Sequence, residues 1–224
     1  MKKSTVSIPI LFCLLFIGGL GNAVAQTFDI SSGGAPTITG ALSGSVTGSS
    51  SVLNDLSVTI NFGEVSPANT NSIVKVIIPI AIRSKKEYQV TVTVTTFTTG
   101  GSTQAVQTTD IGFGANNLRS MGANARVCTA SSHIFYSPFN NDPASNVTIN
   151  ASGRATYPST LNNVGTSTVI LSGPRLSNDT SPVRQTNNGY IFDAIFAITP
   201  QFYAAGSTTA TLTFTISQGP TSPC

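Results

Sequence analysis

The stretch Tyr190–Ser217, YIFDAIFAI-TPQFYAAGS-TTATLTFTIS, decides the fold of this chain. In its last part, residues 211–216 (TLTFTI), apolar side chains alternate with threonine. A period of two is typical of a strand with one buried and one solvated face. The first part has apolar residues on both faces, and Gly189 and Pro200 bracket it at strand length. We therefore predict two strands joined by a turn, with the first strand covered on both faces.

Further strand patterns lie upstream. Leu56–Phe62 alternates cleanly, and Ile73–Ile82 and Tyr88–Phe97 are rich in β-branched residues. The last two are separated by the charged segment Arg83–Glu87, which predicts a hairpin with a solvated tip. Pro79 has no N–H to donate to a ladder, so we expect its strand to be an edge strand or to carry a bulge.

The remaining segments complete an all-β pattern. Asn146–Asn150 and Thr166–Leu171 predict short strands, while Asp110–Met121 (DIGFGANNLRSM) looks irregular. The total is about eight short antiparallel strands separated by turn residues, without a convincing helix. This pattern is typical of a β-sandwich or a barrel, and we predict a β-sandwich.

The N-terminus has the features of a secretory signal peptide. Lys2 and Lys3 precede a short apolar core, Ile8–Leu20, and Ala23-Val24-Ala25 is a small-x-small cleavage site. We predict cleavage between Ala25 and Gln26. The short positive region and compact core are typical of bacterial export, so we expect a periplasmic, surface or secreted protein.

After the signal peptide (1–25) we expect two regions. Residues 26–51 are rich in Ser, Gly and Thr and are interpreted as a flexible lead-in or a first weak strand. Ile38, Leu42 and Val46 alternate loosely there with small or polar residues. Residues 52–224 are predicted to form a single β-sandwich domain, since about 170 residues suffice for one core.

Composition argues against several classes of function. Only 8% of the residues are charged, while 40% are hydrophobic, so the chain can bury a core. Removal of Lys2 and Lys3 lowers the net charge from +3 to +1, and the chain has no basic run suited to nucleic acid. No later apolar run is long enough for a membrane span.

Two cysteines, Cys128 and Cys224, remain after cleavage. In an exported protein an even pair predicts a disulfide, although two free thiols are the alternative. A loop of about one hundred residues closed in this way would contribute on the order of 4 kcal/mol in the chain-entropy model. His133 is the single histidine, so we predict neither a metal site nor a cofactor.

Catalytic residues do not stand out. His133 lies among aromatic residues without a nucleophile motif nearby, so a packing role is favoured. The acidic residues fall mostly in loops, and the sequence pairs none of them for glycosidase chemistry. Asp193 differs, because it lies inside the strand covered on both faces and needs a partner if buried; Arg175 or Arg184 would serve.

Two segments resemble secreted bacterial pilin-like and spore-coat-U-like domains. Ile60–Pro67 (INFGEVSP) resembles an early FG-x-V-x-P stretch, and Ala205-Gly206-Ser207 followed by Thr211–Ile216 resembles the closing strand. The resemblance implies an immunoglobulin-like β-sandwich that acts by assembly or adhesion. It also implies strand donation between subunits, for which Ile38, Leu42 and Val46 are the candidate donor residues.

The sequence leaves more than one function open. The first hypothesis is a non-enzymatic surface or extracellular structural or adhesion protein, whose partners are other copies of itself, related surface subunits, or host or environmental glycans. The alternative is a secreted carbohydrate- or ligand-binding module using loop aromatics, with Tyr136, Tyr157 and Tyr203 as candidates. A small secreted hydrolase is disfavoured by the single histidine.

Overall fold

The computed structural model describes most of the chain after the predicted signal peptide. The described residues are 26–40, 44–52, 54–67, 72–100, 104–121, 132–177, 183 and 188–221. The strands are β1 (Phe28–Ser32), β2 (Thr37–Thr39), β3 (Ser45–Val52), β4 (Asp55–Glu64), β5 (Val74–Ser84), β6 (Tyr88–Thr98), β7 (Ile111–Ser120), β8 (Ile134–Phe135), β9 (Thr148–Ile149), β10 (Ala155–Thr156), β11 (Thr168–Gly173), β12 (Gly189–Ile198) and β13 (Ser207–Gln218). Two 3₁₀ turns lie at Thr108–Asp110 and Leu161–Asn163.

The chain folds as an all-β protein, as predicted, and its described strands form two large antiparallel sheets and a small one made of β9 and β10. The five-stranded sheet has the order β1-β5-β12-β7, with β2 also paired to β5, and the six-stranded sheet has the order β3-β4-β13-β6-β11-β8. Apolar side chains of both sheets form one buried cluster between them. Nine described strands have five or more residues, against about eight expected. The immunoglobulin-like strand order stays a prediction.

The two strands of the C-terminal stretch form as predicted but belong to different sheets. β12 lies between β5 and β7, whereas β13 lies between β4 and β6. In β13 the alternation sends Leu212, Phe214 and Ile216 into the core. The link between the strands therefore crosses from one sheet to the other and does not close a hairpin.

β12 is buried on both faces because a long segment folds over its outer side. This covering segment, residues 139–160, first runs along the β7 edge, where Ala115 donates its N–H to Phe139 O at 2.7 Å. It then reaches across β12 to β5, where Lys75 Nζ lies 2.6 Å from Asp142 Oδ2. Apolar residues on both faces of β12 are thus removed from water.

The prediction that Asp110–Met121 is irregular is wrong, since ten of these residues form β7. Its core face carries Phe113, whereas its outer face carries Gly112 and Gly114. A Cβ on Gly112 would lie 2.5 Å from Tyr157 Cδ1, and one on Gly114 would collide with Asn141 O. The glycines that hide the apolar alternation are therefore needed for the covering segment to approach.

The predicted hairpin of Ile73–Ile82 with Tyr88–Phe97 is also wrong. Both segments are strands, but β5 belongs to the five-stranded sheet and β6 to the six-stranded sheet. The charged segment between them is not only a solvated tip, because Arg83 lies within β5 and pairs with Asp29 of β1. Residues 85–87 carry the chain from one sheet to the other.

Pro79 lies in an interior strand, which corrects the edge-strand prediction. β5 pairs with β12 on one side and with β1 and β2 on the other. The ladder is interrupted on the side of β5 that pairs with β1 and β2. Residues 33–36, which link those two strands, form no ladder pairs with β5 opposite Pro79. Gly33 donates its N–H to Pro79 O at 2.9 Å, so the bulge expected near Pro79 is in the neighbouring chain segment.

Residues 26–51 are built into the sandwich. β1 and β2 extend the five-stranded sheet and β3 forms the edge of the six-stranded sheet, so the expected boundary between 51 and 52 falls inside β3. Ile38 lies in β2 and Val46 in β3, and thus these two candidate donor residues do not share one strand. Leu42, Ala25, Cys128 and Cys224 lie outside the described residues, so the cleavage site and the disulfide stay predictions.

The close packing at β7 leads to a stability prediction. We expect Gly114→Ala to lower the free energy of unfolding by roughly 1–3 kcal/mol, because the new methyl group would overlap the backbone oxygen of Asn141. Gly165→Ala is the matched control, since its Cβ would meet only Thr168 Oγ1 at 3.7 Å. Urea denaturation measures both variants, and equal midpoints would contradict this account.

Candidate functional site

A cleft, here called the end cleft, opens where β6 and β12 finish and β13 begins. Its volume is about 400 Å³. Three loops line it: residues 104–107 before the first 3₁₀ turn, residues 152–154 in the β9–β10 turn, and residues 201–203 between β12 and β13. The end cleft therefore combines segments that are far apart in the sequence.

Asp110 fixes one wall of the end cleft. Its side chain is buried, and its carboxylate accepts the backbone N–H of Gln107 at 2.9 Å and Arg154 Nη2 at 2.7 Å. The Arg154 side chain keeps 59% of its surface exposed. A pair this open adds little stability. Its effect is to hold one guanidinium nitrogen in place while the rest of the group faces the solvent.

Gln201 and Tyr203 shape the opposite wall. Gln201 Nε2 donates to Gly153 O at 3.3 Å, and Tyr203 Oη donates to Gln201 Oε1 at 3.2 Å. Burial, together with the negative charge of Asp110, raises the pKa of Tyr203 above its ordinary value. The phenol therefore stays protonated at neutral pH and remains a donor.

Phe202 is the exposed aromatic residue of the end cleft. Its surface is 88% exposed, compared with 55% for Ile134 and 60% for Ile149, the other exposed large hydrophobic residues among those described. A single exposed apolar side chain is ordinary on a protein surface. This one lies between Gln201 and Tyr203 and lines the end cleft, so a molecule in the cleft would contact it.

Only some of the residues that line the end cleft were predicted from the sequence. Of the loop tyrosines, Tyr203 lines the end cleft, whereas Tyr136 and Tyr157 are half-buried and bond to Ser172 and Thr199. Phe202 and Arg154 were not predicted. A phenylalanine in the turn between Pro200 and Gly206 was the available signal for the first, and nothing in the sequence connects Arg154 to that turn.

His133 packs in the core rather than at an open surface. Its ring lies 4.8 Å from Tyr190 and 5.7 Å from Tyr88, measured between centroids, and its Nδ1 is 2.7 Å from Tyr88 Oη. Burial lowers the pKa of His133 to about 4 and raises that of Tyr88. The imidazole is therefore neutral at physiological pH.

The buried carboxylates are all engaged in ion pairs. Asp193 pairs with Arg119 of β7 at 2.7 Å and accepts Asn117 Nδ2 at 2.6 Å. The structural role predicted for Asp193 is thus correct, but the partner is neither Arg175, which is exposed, nor Arg184, which lies outside the described residues. Asp29 pairs with Arg83 at 2.7 Å.

An apolar opening, here called the apolar seam, lies between the two sheets beside β3. Its volume is about 350 Å³. Val46 and Gly48 of β3, Leu56 and Val58 of β4, and Ile78 of β5 line it together with the β1–β2 link. The seam exposes the edge of the hydrophobic core, whereas the end cleft presents polar and apolar groups side by side.

No protein-family model, curated protein or solved structure matches this chain.

In the part of the chain that the structure describes, histidine, cysteine and acidic residues do not gather in groups of three that could hold a metal ion. None of the described helical turns has the length and hydropathy needed to cross a membrane.

The Arg83–Asp29 pair gives a prediction for stability. Arg83 and Asp29 expose only 13% and 1% of their side chains, so Arg83→Gln would leave a buried carboxylate without its counter-charge. We expect a loss of about 3 kcal/mol in the free energy of unfolding. Lys86→Gln, at an exposed position of the same segment, should change it by less than about 0.5 kcal/mol. Similar denaturation midpoints for the two variants would refute the structural role of the pair.

His133 predicts a pH dependence. The folded-state pKa is about 4, whereas an imidazole in an unfolded chain has a pKa of about 6.5. The unfolded chain binds the proton more readily, so this contribution to stability is complete above about pH 6.5 and is lost as the pH falls toward 4. The loss should be on the order of 3 kcal/mol.

His133→Phe is the test of this pH dependence. The variant keeps an aromatic ring and removes the only imidazole, so its stability should vary less between pH 7 and pH 4.5. Denaturation at several pH values measures both slopes. The same slope in both proteins would show that other groups cause the pH dependence.

Proposed function

We propose that this chain is an exported, non-enzymatic structural or adhesion protein of the bacterial surface or exterior, which assembles through the edge of its six-stranded sheet. The observation that carries the proposal is the state of β3. This strand is an eight-residue edge strand, SVTGSSSV, without a charged residue or a proline, and its pairing with β4 is regular from Ser45 to Ser50, before a register shift at its end. Edge strands of monomeric proteins are usually protected by such residues or by irregularities, because an open edge pairs with other chains.

The other sheet edges are protected. The covering segment bonds along β7 through Ala115 and Phe113, which donate to Phe139 O and Ser159 O. On the opposite side, the link with Pro36 interrupts the edge formed by β1 and β2, and β8 has only two residues. Among the described strands, β3 is therefore the long edge left open.

The apolar seam lies directly beside this open edge. A strand added to β3 by a second copy would bring alternate side chains over Val46 and Gly48, where the core edge is exposed. Main-chain bonds would give affinity, and apolar side chains entering the seam would fix the register. This addition leaves Ile38 and Val46 in their own strands, so donation of residues 38–46 is not required.

The charge of the chain favours association between copies. After removal of the signal peptide the net charge is +1, and 8% of all residues are charged. Long-range repulsion between copies is therefore weak. Threonine and serine solvate the outer faces instead, as in β13, where Thr211, Thr213 and Thr215 are partly exposed.

The test is to place a charge on the open edge. Thr47 is exposed on β3, and Thr47→Lys should block strand addition and give a monomer, because a lysine on an edge strand opposes its pairing with another chain. Thr213→Lys is the matched control: it adds the same charge on β13, a strand paired on both sides. Size-exclusion chromatography with light scattering on the exported protein measures the mass.

We expect oligomers for the wild type and for Thr213→Lys, and a monomer for Thr47→Lys. A monomeric wild type at tens of micromolar would overturn assembly through β3. Oligomers that persist in Thr47→Lys would place the contact on another surface.

A further inference from the structure

We propose that the end cleft is a binding site for a neutral saccharide. This activity is additional to assembly, since the end cleft and the apolar seam share no lining residue. The volume of about 400 Å³ lies within the range of small-molecule sites. The site is built on loops carried by β12, β13 and the β9–β10 hairpin, which is where binding residues commonly lie.

The first requirement of a saccharide site is an aromatic face. One face of a sugar ring presents C–H groups, and an exposed aromatic ring is a surface on which that face packs. Phe202 is 88% exposed, and it lies between two polar residues of the cleft rather than in an apolar patch. Its burial under a ligand would remove a large apolar area from water.

The second requirement is a set of polar groups able to meet hydroxyl groups. Gln104, Gln107 and Gln201 bring planar amides to the cleft, and Arg154 brings a planar guanidinium. Planar groups with paired donors or donor–acceptor edges fit the adjacent hydroxyls of a sugar. Gln201 and Arg154 are held by Gly153 O, Tyr203 Oη and Asp110. Because these two side chains are already ordered before a ligand binds, binding loses less conformational entropy.

Charge selects a neutral ligand over an acidic one. Arg154 is the cation that lines the end cleft, and Asp110 neutralises it at 2.7 Å. A carboxylate or sulfate ligand would have to compete with this buried aspartate and would be repelled by it. An apolar ligand would leave the amides and the guanidinium desolvated without partners. A neutral, hydroxyl-rich ring is not repelled by Asp110, and its hydroxyl groups can pair with the amides and the guanidinium.

The experiment uses the exported protein and defined sugars. Soluble gluco-, manno-, galacto- and N-acetylglucosamine oligosaccharides are the neutral probes, and sialylated and sulfated oligosaccharides are the acidic ones. A glycan array selects probes, and calorimetric titration measures their affinity. We expect binding to at least one neutral series, and Phe202→Ala should weaken it by at least about tenfold, as loss of a central aromatic contact does.

Ile134→Ala is the control for Phe202→Ala, because it also removes an exposed apolar side chain but lies on β8, outside the end cleft. Both variants should keep the wild-type melting temperature. Arg154→Gln should weaken the neutral probe while leaving the acidic probes unbound. Measurement on Thr47→Lys separates this proposal from assembly, since saccharide binding should persist in that variant whatever its oligomeric state.

Three results would overturn the saccharide site. The first is that no neutral probe binds, and the second is that only acidic probes bind. The third is binding that Phe202→Ala leaves unchanged, which would place the sugar elsewhere on the surface.

Discussion

The fold depends on the burial of β12 on both faces. One face belongs to the core between the sheets, and the other would meet water if the covering segment did not fold over it. That cover needs a close approach to β7, which Gly112 and Gly114 permit, and a tether to β5, which the Lys75–Asp142 pair provides. Residues 139–160 are therefore part of the sandwich, because without them apolar surface on β12 would be exposed to water.

Two of the ion pairs connect elements that the ladders do not fix completely. Asp110 holds the β9–β10 turn through Arg154, and Asp142 holds the covering segment through Lys75. With 8% charged residues, the chain uses several of its few charges in this way. Among the described residues, four carboxylates each pair with a separate cation.

The two open surfaces have different physical character. The apolar seam beside β3 offers main-chain groups and a core edge, so it suits another polypeptide strand. The end cleft offers amides, a guanidinium and the aromatic rings of Phe202 and Tyr203, and so it suits a small hydroxyl-rich ligand. A surface protein that assembles through one site and adheres through the other would keep the two activities independent, since they draw on different loops and strands.

Strands whose two faces differ could be recognised from the amino-acid pattern alone. In β4, β6 and β13 one face is buried and the other meets water, so apolar and polar residues alternate along the sequence. The prediction of these three strands is confirmed. β7 escaped prediction because its outer face is packed against another segment, where glycine is required and the alternation disappears. A period of two appears when one face of a strand meets the core and the other meets water. A strand such as β7, whose outer face is packed against another segment through glycines, does not show that period.

Which strands pair and which side chains meet depends on the packing of the two sheets. β5 and β6 are neighbours in sequence yet lie in different sheets, because three residues are enough to cross between layers. Asp193 was correctly expected to need a cation, but Arg119 supplies it, since β7 lies beside β12. Phe202 and Arg154 are 48 residues apart in the sequence and line one cleft. Such pairings depend on the packing of whole sheets, which no short segment of the chain encodes.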